Sequence, residues 1–517
     1  MKKTALLLSA MFVVLSCKNE ATQDDVISYG STITQEELKE HLYIYASDEF
    51  EGRDTGEPGQ KMAIEYLKKQ YEQLGISPLI EGNYFQNVPL SIAKTPEVNI
   101  TINGKSFTYF DDFISQTAAE TGNLSASEVV YAGYGIDDDK YSDYKDLDVK
   151  GKIVVVRSGE PKDRAGNNIL SGDKKASKWS NGRQAIASKR TAAKDNGAKA
   201  LFFMDNELFD RYSKFYKQRE ENGGSNSLSL PSKGDGTTEI YHFLISEKMG
   251  KALVSNITRS TKPATVKTKV DMNFKSISVS HPSENVAAYI KGSEKPDEYI
   301  IISAHLDHVG VNAKGEIFNG ADDDGSGTVS LLEVAEAFKT ATDNGHGPKR
   351  SVIFLHVTGE EKGLLGSRYY TDYEPLVPLA NTVANLNIDM VGRIDPKREG
   401  DRNYIYLIGS DKLSTELHNI SEEVNKNFTN IELDYTYNDE NDPNRFYYRS
   451  DHYNFAKNNI PIIFYFNGTH DDYHRASDTP DKINYDLLEN RSRLVFHTAW
   501  ELANREKRIV VDKAPAK

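Results

Sequence analysis

The sequence predicts an α/β protein: a mostly parallel mixed sheet sandwiched by helices, interrupted by an inserted β-rich α+β module. Three observations predict it. From about residue 284 the chain carries five near-continuous apolar runs, NVAAYIKG, EYIIISAH, SVIFLHV, VANLNIDMV and IPIIFYF. Strands of that kind are buried on both faces, as in a largely parallel sheet. Helix-period segments lie between them, notably 326–339, where Leu331, Val334, Ala335 and Phe338 share one face. Between 91 and 272 the texture differs: the short β-like runs VNITI, EVVYAGYGI, KIVVV and KALFFM are separated by long polar stretches.

Taken in order, the chain opens with Lys2 and Lys3, followed by the apolar run TALLLSAMFVVL over 4–15. This is the n-region and h-region of a targeting segment, and it is too short to span a bilayer as a helix. Val14-Leu15-Ser16-Cys17 resembles the lipobox of bacterial lipoproteins. The resemblance implies a signal peptide over 1–17, cleavage before Cys17 and a lipid anchor on that cysteine. Export to the bacterial envelope follows, with the chain facing the periplasm or the cell surface. Residues 18–32 read as a polar tether. Helix periodicity covers 35–48 and 57–75, with Gly75 as a stop, and the Gly, Pro and Asp content of 47–60 marks a loop. The host domain is expected over 33–90 and 273–510, with the insert over 91–272 and a helix-like segment at 183–197 inside it.

The 517 residues hold 63 Lys+Arg against 77 Asp+Glu, a formal charge of −14. That balance argues against a nucleic-acid binder, which needs a basic footprint. Cys17 is the sole cysteine, so no intramolecular disulfide can form.

Metal-capable side chains gather where the host strands end. EYIIISA runs into His305 and Asp307, SVIFLHVTG into Glu360-Glu361, ANLNI into Asp389, and IPIIFYFNGT leads to His474 through a loop. Asp322-Asp323-Asp324 stands directly before a helix. In an open α/β sheet, ligands collect at the carboxyl ends of the strands, so groups spread widely in sequence can converge. Imidazole with carboxylate suits Zn²⁺ and related divalent ions. Two histidines and three carboxylates exceed one tetrahedral site with an open position. They suit two ions sharing a bridging carboxylate, an arrangement that clamps a hydrolytic transition state. In a Glu-Glu pair one carboxylate can bind metal while its neighbour takes a proton from the attacking water.

HLDHVG, NGADDDGSGTVSLLE, TGEEKGLLGS, NIDMVG and HRASDT, in this order, closely resemble the co-catalytic zinc aminopeptidases of metallopeptidase family twenty-eight. That family also holds glutamate carboxypeptidases and glutaminyl cyclases. The insert, with EVVYAGYGI, DVKGKIVVVRSG and AKDNGAKALFFM, resembles a protease-associated domain. The resemblance covers about 35 to 505 and implies the zinc-peptidase (phosphorylase/hydrolase-like) fold and two Zn²⁺, with other divalent ions as substitutes. It implies His305 and Asp389 on one metal, Glu361 and His474 on the other, and Asp323 as the bridge. Glu360 corresponds to the general base, Asp307 to the carboxylate that orients the histidine, and Tyr447 to an oxyanion-binding tyrosine. Gly325 departs from the Ala of many members.

The function expected is an exported di-zinc exopeptidase acting on peptides, most simply an aminopeptidase. A carboxypeptidase or a glutaminyl cyclase would use the same positions, and a non-catalytic receptor-like protein is the alternative from another class. His308, His356, His452 and His470 are rival ligands, although a lone histidine is more often structural than metal-bound: His356 lies within an apolar strand and reads as a core residue, and His470, the chief competitor of His474, fits the HxxxDT pattern less well. Asp322 to Glu333 loosely matches a calcium loop but lacks an incoming helix. Ser450-Asp451-His452 is not a serine triad, because no nucleophile elbow is present. Side-chain preference, native metal and oligomeric state stay open.

Overall fold

A computed structural model describes residues 20–116, 119–222, 224, 227–231 and 239–513. The expected leader and Cys17 lie outside these residues. The chain divides into two compact units, Met1–Pro89 with Pro282–Lys517, and Leu90–His281.

The first unit, the host, is built on a nine-stranded sheet. Its order is Ser77–Pro78, Ser283–Ile290, Arg350–Val357, Lys295–His305, Thr382–Ile388, Ile462–Phe466, Tyr404–Ile408 and Glu432–Asp434, with Phe85–Val88 paired to Ser283–Ile290. The four strands from Arg350–Val357 to Ile462–Phe466 run parallel. Ser283–Ile290 and Tyr404–Ile408 flank them antiparallel, so the sheet is mixed with a parallel centre, as the sequence predicts. Alternation decides which face each side chain takes. Ile300 and Ile302 join Phe354, Leu386, Val329, Phe338 and Phe496 on one side. Ile301 joins Ile353, Leu355, Tyr370 and Phe455 on the other. Every residue of Arg350–Val357 and Thr382–Ile388 is buried, which explains why these strands read as unbroken apolar runs.

Two expectations about the amino-terminal region are corrected. The tether expected over 18–32 is largely a folded element. Thr22 caps the helix Gln23–Gly30 through a capping box with Asp25, and Val26 and Tyr29, three residues apart, enter the core. Two apolar side chains in a polar stretch suffice because they fall on one helical face. The next helices are Gln35–Tyr45, shorter than expected, and Pro58–Leu74, which Gly75 ends at φ 68°, where a left-handed residue favours glycine.

The second unit carries its own nine-stranded sheet. Its helices include Gly182–Asp195, Asn206–Glu221 and Glu247–Leu253. Its end moves from the expected 272 to His281, because the long strand Ala264–Ser280 pairs with Ser91–Ile102 as far as Ser280 opposite Ser91. Both clusters of metal-capable groups found among the described residues lie in the host.

Glu333, on the host helix Gly327–Asp343, is 1% exposed; its carboxylate makes no hydrogen bond, and its nearest cation-capable neighbour is the His41 Nε2, 3.5 Å from one oxygen. Burial, with Glu37 and Glu336 nearby, pushes its pKa up to about 9. The folded chain therefore keeps a proton that the unfolded chain releases above the ordinary carboxylate range. This group's contribution to stability is present at low pH and is lost, by about 1.4 kcal/mol per pH unit, as pH rises towards 9. Glu333→Gln should melt at a higher temperature than the parent, by a margin that widens from pH 6 to pH 9. An equal margin at both pH values, read by differential scanning fluorimetry, would contradict this.

Candidate metal centre

The parallel strands deliver the expected residues to one end of the sheet. His305 closes the central strand Lys295–His305, and Asp389 follows Thr382–Ile388. Glu360 and Glu361 come just after Arg350–Val357, His474 lies in the loop beyond Ile462–Phe466, and Asp323 stands in the turn before Gly327–Asp343. His305 Nε2 is 3.1 Å from Asp323 Oδ1 and 3.7 Å from Asp389 Oδ1. His474 Nε2 is 3.1 Å from Asp323 Oδ2 and 3.1 Å from Glu361 Oε2. Asp323 thus turns one oxygen to each histidine, and its peptide bond to Asp324 is cis.

These spacings test whether metal fits. Donor atoms around a tetrahedral ion bound at about 2.0–2.1 Å lie roughly 3.3 Å apart, close to the separations found. His305 Nε2, Asp323 Oδ2 and Glu361 Oε1 are buried with no hydrogen-bond partner, although each has an opposite polar atom close by. Atoms that crowd together without pointing at one another are aimed at a common point. Charge leads to the same conclusion. Asp323, Asp389, Glu360 and Glu361 are paired to no lysine or arginine among the described residues. Burial works against the charged imidazole of His474, but Asp323 and Glu361 prevail and hold its pKa up to about 10. His305 is likewise raised well above its ordinary value, against burial, by Asp389, Asp323 and Asp324. A site that draws protons onto its histidines this way favours cations.

A set of backbone clamps fixes the carboxylates. Asp324 accepts from the backbone N–H groups of His305, Met390 and Gly327, tying two strand ends to the helix start. Asp478 Oδ2 accepts from the N–H groups of Asp322 and Asp323. Ser450 donates to Asp389 Oδ2 at 2.5 Å. Arg53, fully buried, donates to the carbonyls of Tyr45, Leu306, Asn319 and Gly320. The charged loop 47–53 therefore supplies an internal brace for the HLD and NGADDD segments. Gly320 must be glycine: its φ is 56°, and a Cβ there would lie 2.2 Å from the Asp323 carbonyl oxygen. Gly325 is also tight, since a Cβ would meet Leu42 Cδ1 at 2.7 Å and the Gly320 carbonyl oxygen at 2.8 Å.

Residues 285–499 match the sequence model of peptidase family M28. The matched stretch lies within the host unit. Aminopeptidase YwaD of Bacillus subtilis (strain 168) is 29% identical to the chain over 187 residues, 33% of this chain and 36% of that protein. A glutamate carboxypeptidase 2 homolog of Caenorhabditis elegans is 25% identical over 309 residues, 53% of this chain and 39% of that protein. The chain spans less than two fifths of the length of either relative. The solved aminopeptidase from Aneurinibacillus sp. strain AM-1 has a TM-score of 0.47 at 20% identity, covering 95% of this chain and 98% of that one.

Within the host unit, two expected roles are corrected by geometry. His305 Nδ1 lies 3.0 Å from the backbone carbonyl of Asp307, whereas the Asp307 carboxylate is 3.9 Å away. That carboxylate accepts instead from the Glu360 N–H at 3.1 Å and from the Thr55 hydroxyl at 2.7 Å. Asp307 therefore positions the Glu360 loop, and only its main chain touches the histidine. Tyr447 does not line the cavity over the centre. It lines a separate cavity with Tyr437, Asp442 and Arg445, and its carbonyl faces His452 Nε2 at 2.8 Å. The cavity over Asp323, Glu360 and Asp389 is walled by Met390, Phe446, Phe464, Phe466, Thr469 and Tyr473, with Arg449 among its lining residues. The Tyr473 ring stacks on His474 at 3.9 Å, and the Arg449 guanidinium lies over Phe446.

The rival histidines also find their places. His470 Nε2 is 3.1 Å from Asp322 Oδ2, outside the centre, and His356 faces the Tyr71 hydroxyl at 2.8 Å inside the core. Asp322 Oδ1 accepts from the Gly392 N–H and from Ser326, so this carboxylate is committed to the protein rather than to a calcium loop. Burial pushes Glu360 well above the ordinary carboxylate range, and Asp389, Glu361 and Asp451 add to the effect.

Proposed function

We propose that the protein is an exported, lipid-anchored di-zinc exopeptidase, most simply an aminopeptidase, with a protease-associated module as its insert. The observation that carries this reading is Asp323, whose two oxygens each lie 3.1 Å from a different imidazole. His305 and Asp389 would hold one ion, Glu361 and His474 the other, and Asp323 would bridge them. Zinc held there supplies Lewis-acid polarisation of the scissile carbonyl and a more acidic water. Glu360, beside Asp323 and Asp389 in the cavity wall, accepts a proton from the attacking water and returns it to the leaving amine. Its backbone is held for this task by Asp307. Tyr473, which lines the cavity where Tyr447 does not, would donate to the developing oxyanion. The apolar wall of Met390, Phe446, Phe464 and Phe466 suits an apolar side chain next to the scissile bond, and Glu360 and Asp389 suit a free amino terminus. A filled set of ligand positions disfavours a receptor without catalysis.

Arg449 favours a second reading. It is the one cation lining this cavity and makes no ion pair among the described residues. A guanidinium so placed could clamp a terminal carboxylate, as a carboxypeptidase requires. The test uses zinc-loaded protein from residue 18 onward and one peptide in free, amino-acetylated and carboxyl-amidated forms, with products followed by mass spectrometry. Blocking by acetylation alone is expected. Blocking by amidation alone would replace the aminopeptidase reading with the carboxypeptidase one.

A further inference from the structure

A sixth donor stands at the centre. His308, the residue directly after Asp307 in HLDHVG, is fully buried, and neither ring nitrogen has a hydrogen-bond partner. Its Nδ1 lies 2.9 Å from Glu361 Oε1 and 3.8 Å from Asp323 Oδ2. A buried imidazole 2.9 Å from a carboxylate would ordinarily be counted as hydrogen bonded, but neither Nδ1 nor Oε1 has a partner in hydrogen-bonding geometry. The same pattern marks His305 Nε2 and Asp323 Oδ2, the atoms already assigned to metal. The two separations bracket the roughly 3.3 Å expected between donors on one tetrahedral ion.

The ring is also fixed in place. The His308 backbone N–H donates to the Arg53 carbonyl at 3.2 Å, and Gly320 packs so closely that a Cβ there would come within 2.5 Å of His308 Cδ2. His474 approaches Glu361 from its other oxygen, with the two imidazole centroids 5.8 Å apart and inclined at 66°. Neither ring therefore blocks the other from a shared ion.

We propose that His308 Nδ1 is a fourth protein ligand at the Glu361–His474 position. This rests on the two-metal reading above and deepens it, because it makes the two positions unequal. One would have His305, Asp389 and Asp323, leaving a coordination place open. The other would have His308, His474, Glu361 and Asp323, a complete tetrahedral set. Closed four-ligand sites hold structural ions, and open three-ligand sites admit water or substrate. The His305 position is then where substrate coordinates, and the Glu361 position is the tighter, anchoring one.

The decisive measurement is a crystal structure of the zinc-loaded wild-type protein. A His308 Nδ1–zinc distance of about 2.0–2.1 Å is expected. A zinc bound by His474 and Glu361 with His308 beyond bonding distance would overturn the proposal while leaving the two-metal reading intact. No zinc at either position would instead remove that reading. Zinc titration of His308→Asn by calorimetry adds an independent readout. The tighter of the two binding events should weaken at least about tenfold while the weaker stays unchanged. Two unchanged affinities would overturn the proposal.

Discussion

Glu360→Gln should bind zinc and peptide as the parent does and lose about 10²–10⁴ of its turnover, the usual worth of a positioned general base. The amide matches the carboxylate in size, and the backbone N–H that Asp307 holds is untouched, so the loop should keep its place. The metal donors are Asp323, Asp389, Glu361 and the histidines, none of which the substitution alters. The loss should therefore appear in kcat and scarcely in KM. Turnover within about threefold of the parent, with metal content confirmed, would mean that another group takes the proton.

Asp323→Ala should remove both ions, because it deletes the one side chain shared by the two positions. Asp389→Asn and Glu361→Gln each touch a single position and should weaken one ion while sparing the other. Elemental analysis of the three variants after dialysis checks the pattern. Activity should fall furthest in Asp323→Ala, since both halves of the clamp go together. A metal content in Asp323→Ala equal to that of Asp389→Asn would argue against a bridge.

Much of this was legible in the sequence for a simple reason. Parallel strands place their carboxyl ends together, so His305, Glu360, Glu361 and Asp389, each at or just beyond the end of an apolar run, had to meet. The middle acid of Asp322-Asp323-Asp324 could be singled out only through the family resemblance. The structure supplies the physical difference: Asp322 is held by the Gly392 N–H, Ser326 and His470, and Asp324 by three backbone N–H groups, leaving Asp323 to face His305 and His474. What escaped the sequence depends on side-chain direction, which no spacing encodes. The family resemblance points to Tyr447, yet it is Tyr473 that lines the cavity. Arg53 looks like one more charge in a polar loop but is buried on four carbonyls. His308 reads as a lone histidine, and only its approach to Glu361 separates it from His356, which the core satisfies. The helix Gln23–Gly30 was hidden because just two of its side chains reach the core as apolar groups.

The most direct measurement is the zinc content of the wild-type protein, made metal-free, titrated with zinc and passed through a desalting column. Two ions per chain are expected from the five converging donors, with Asp323 shared between them. One ion, or none, would contradict a co-catalytic centre at the ends of these strands.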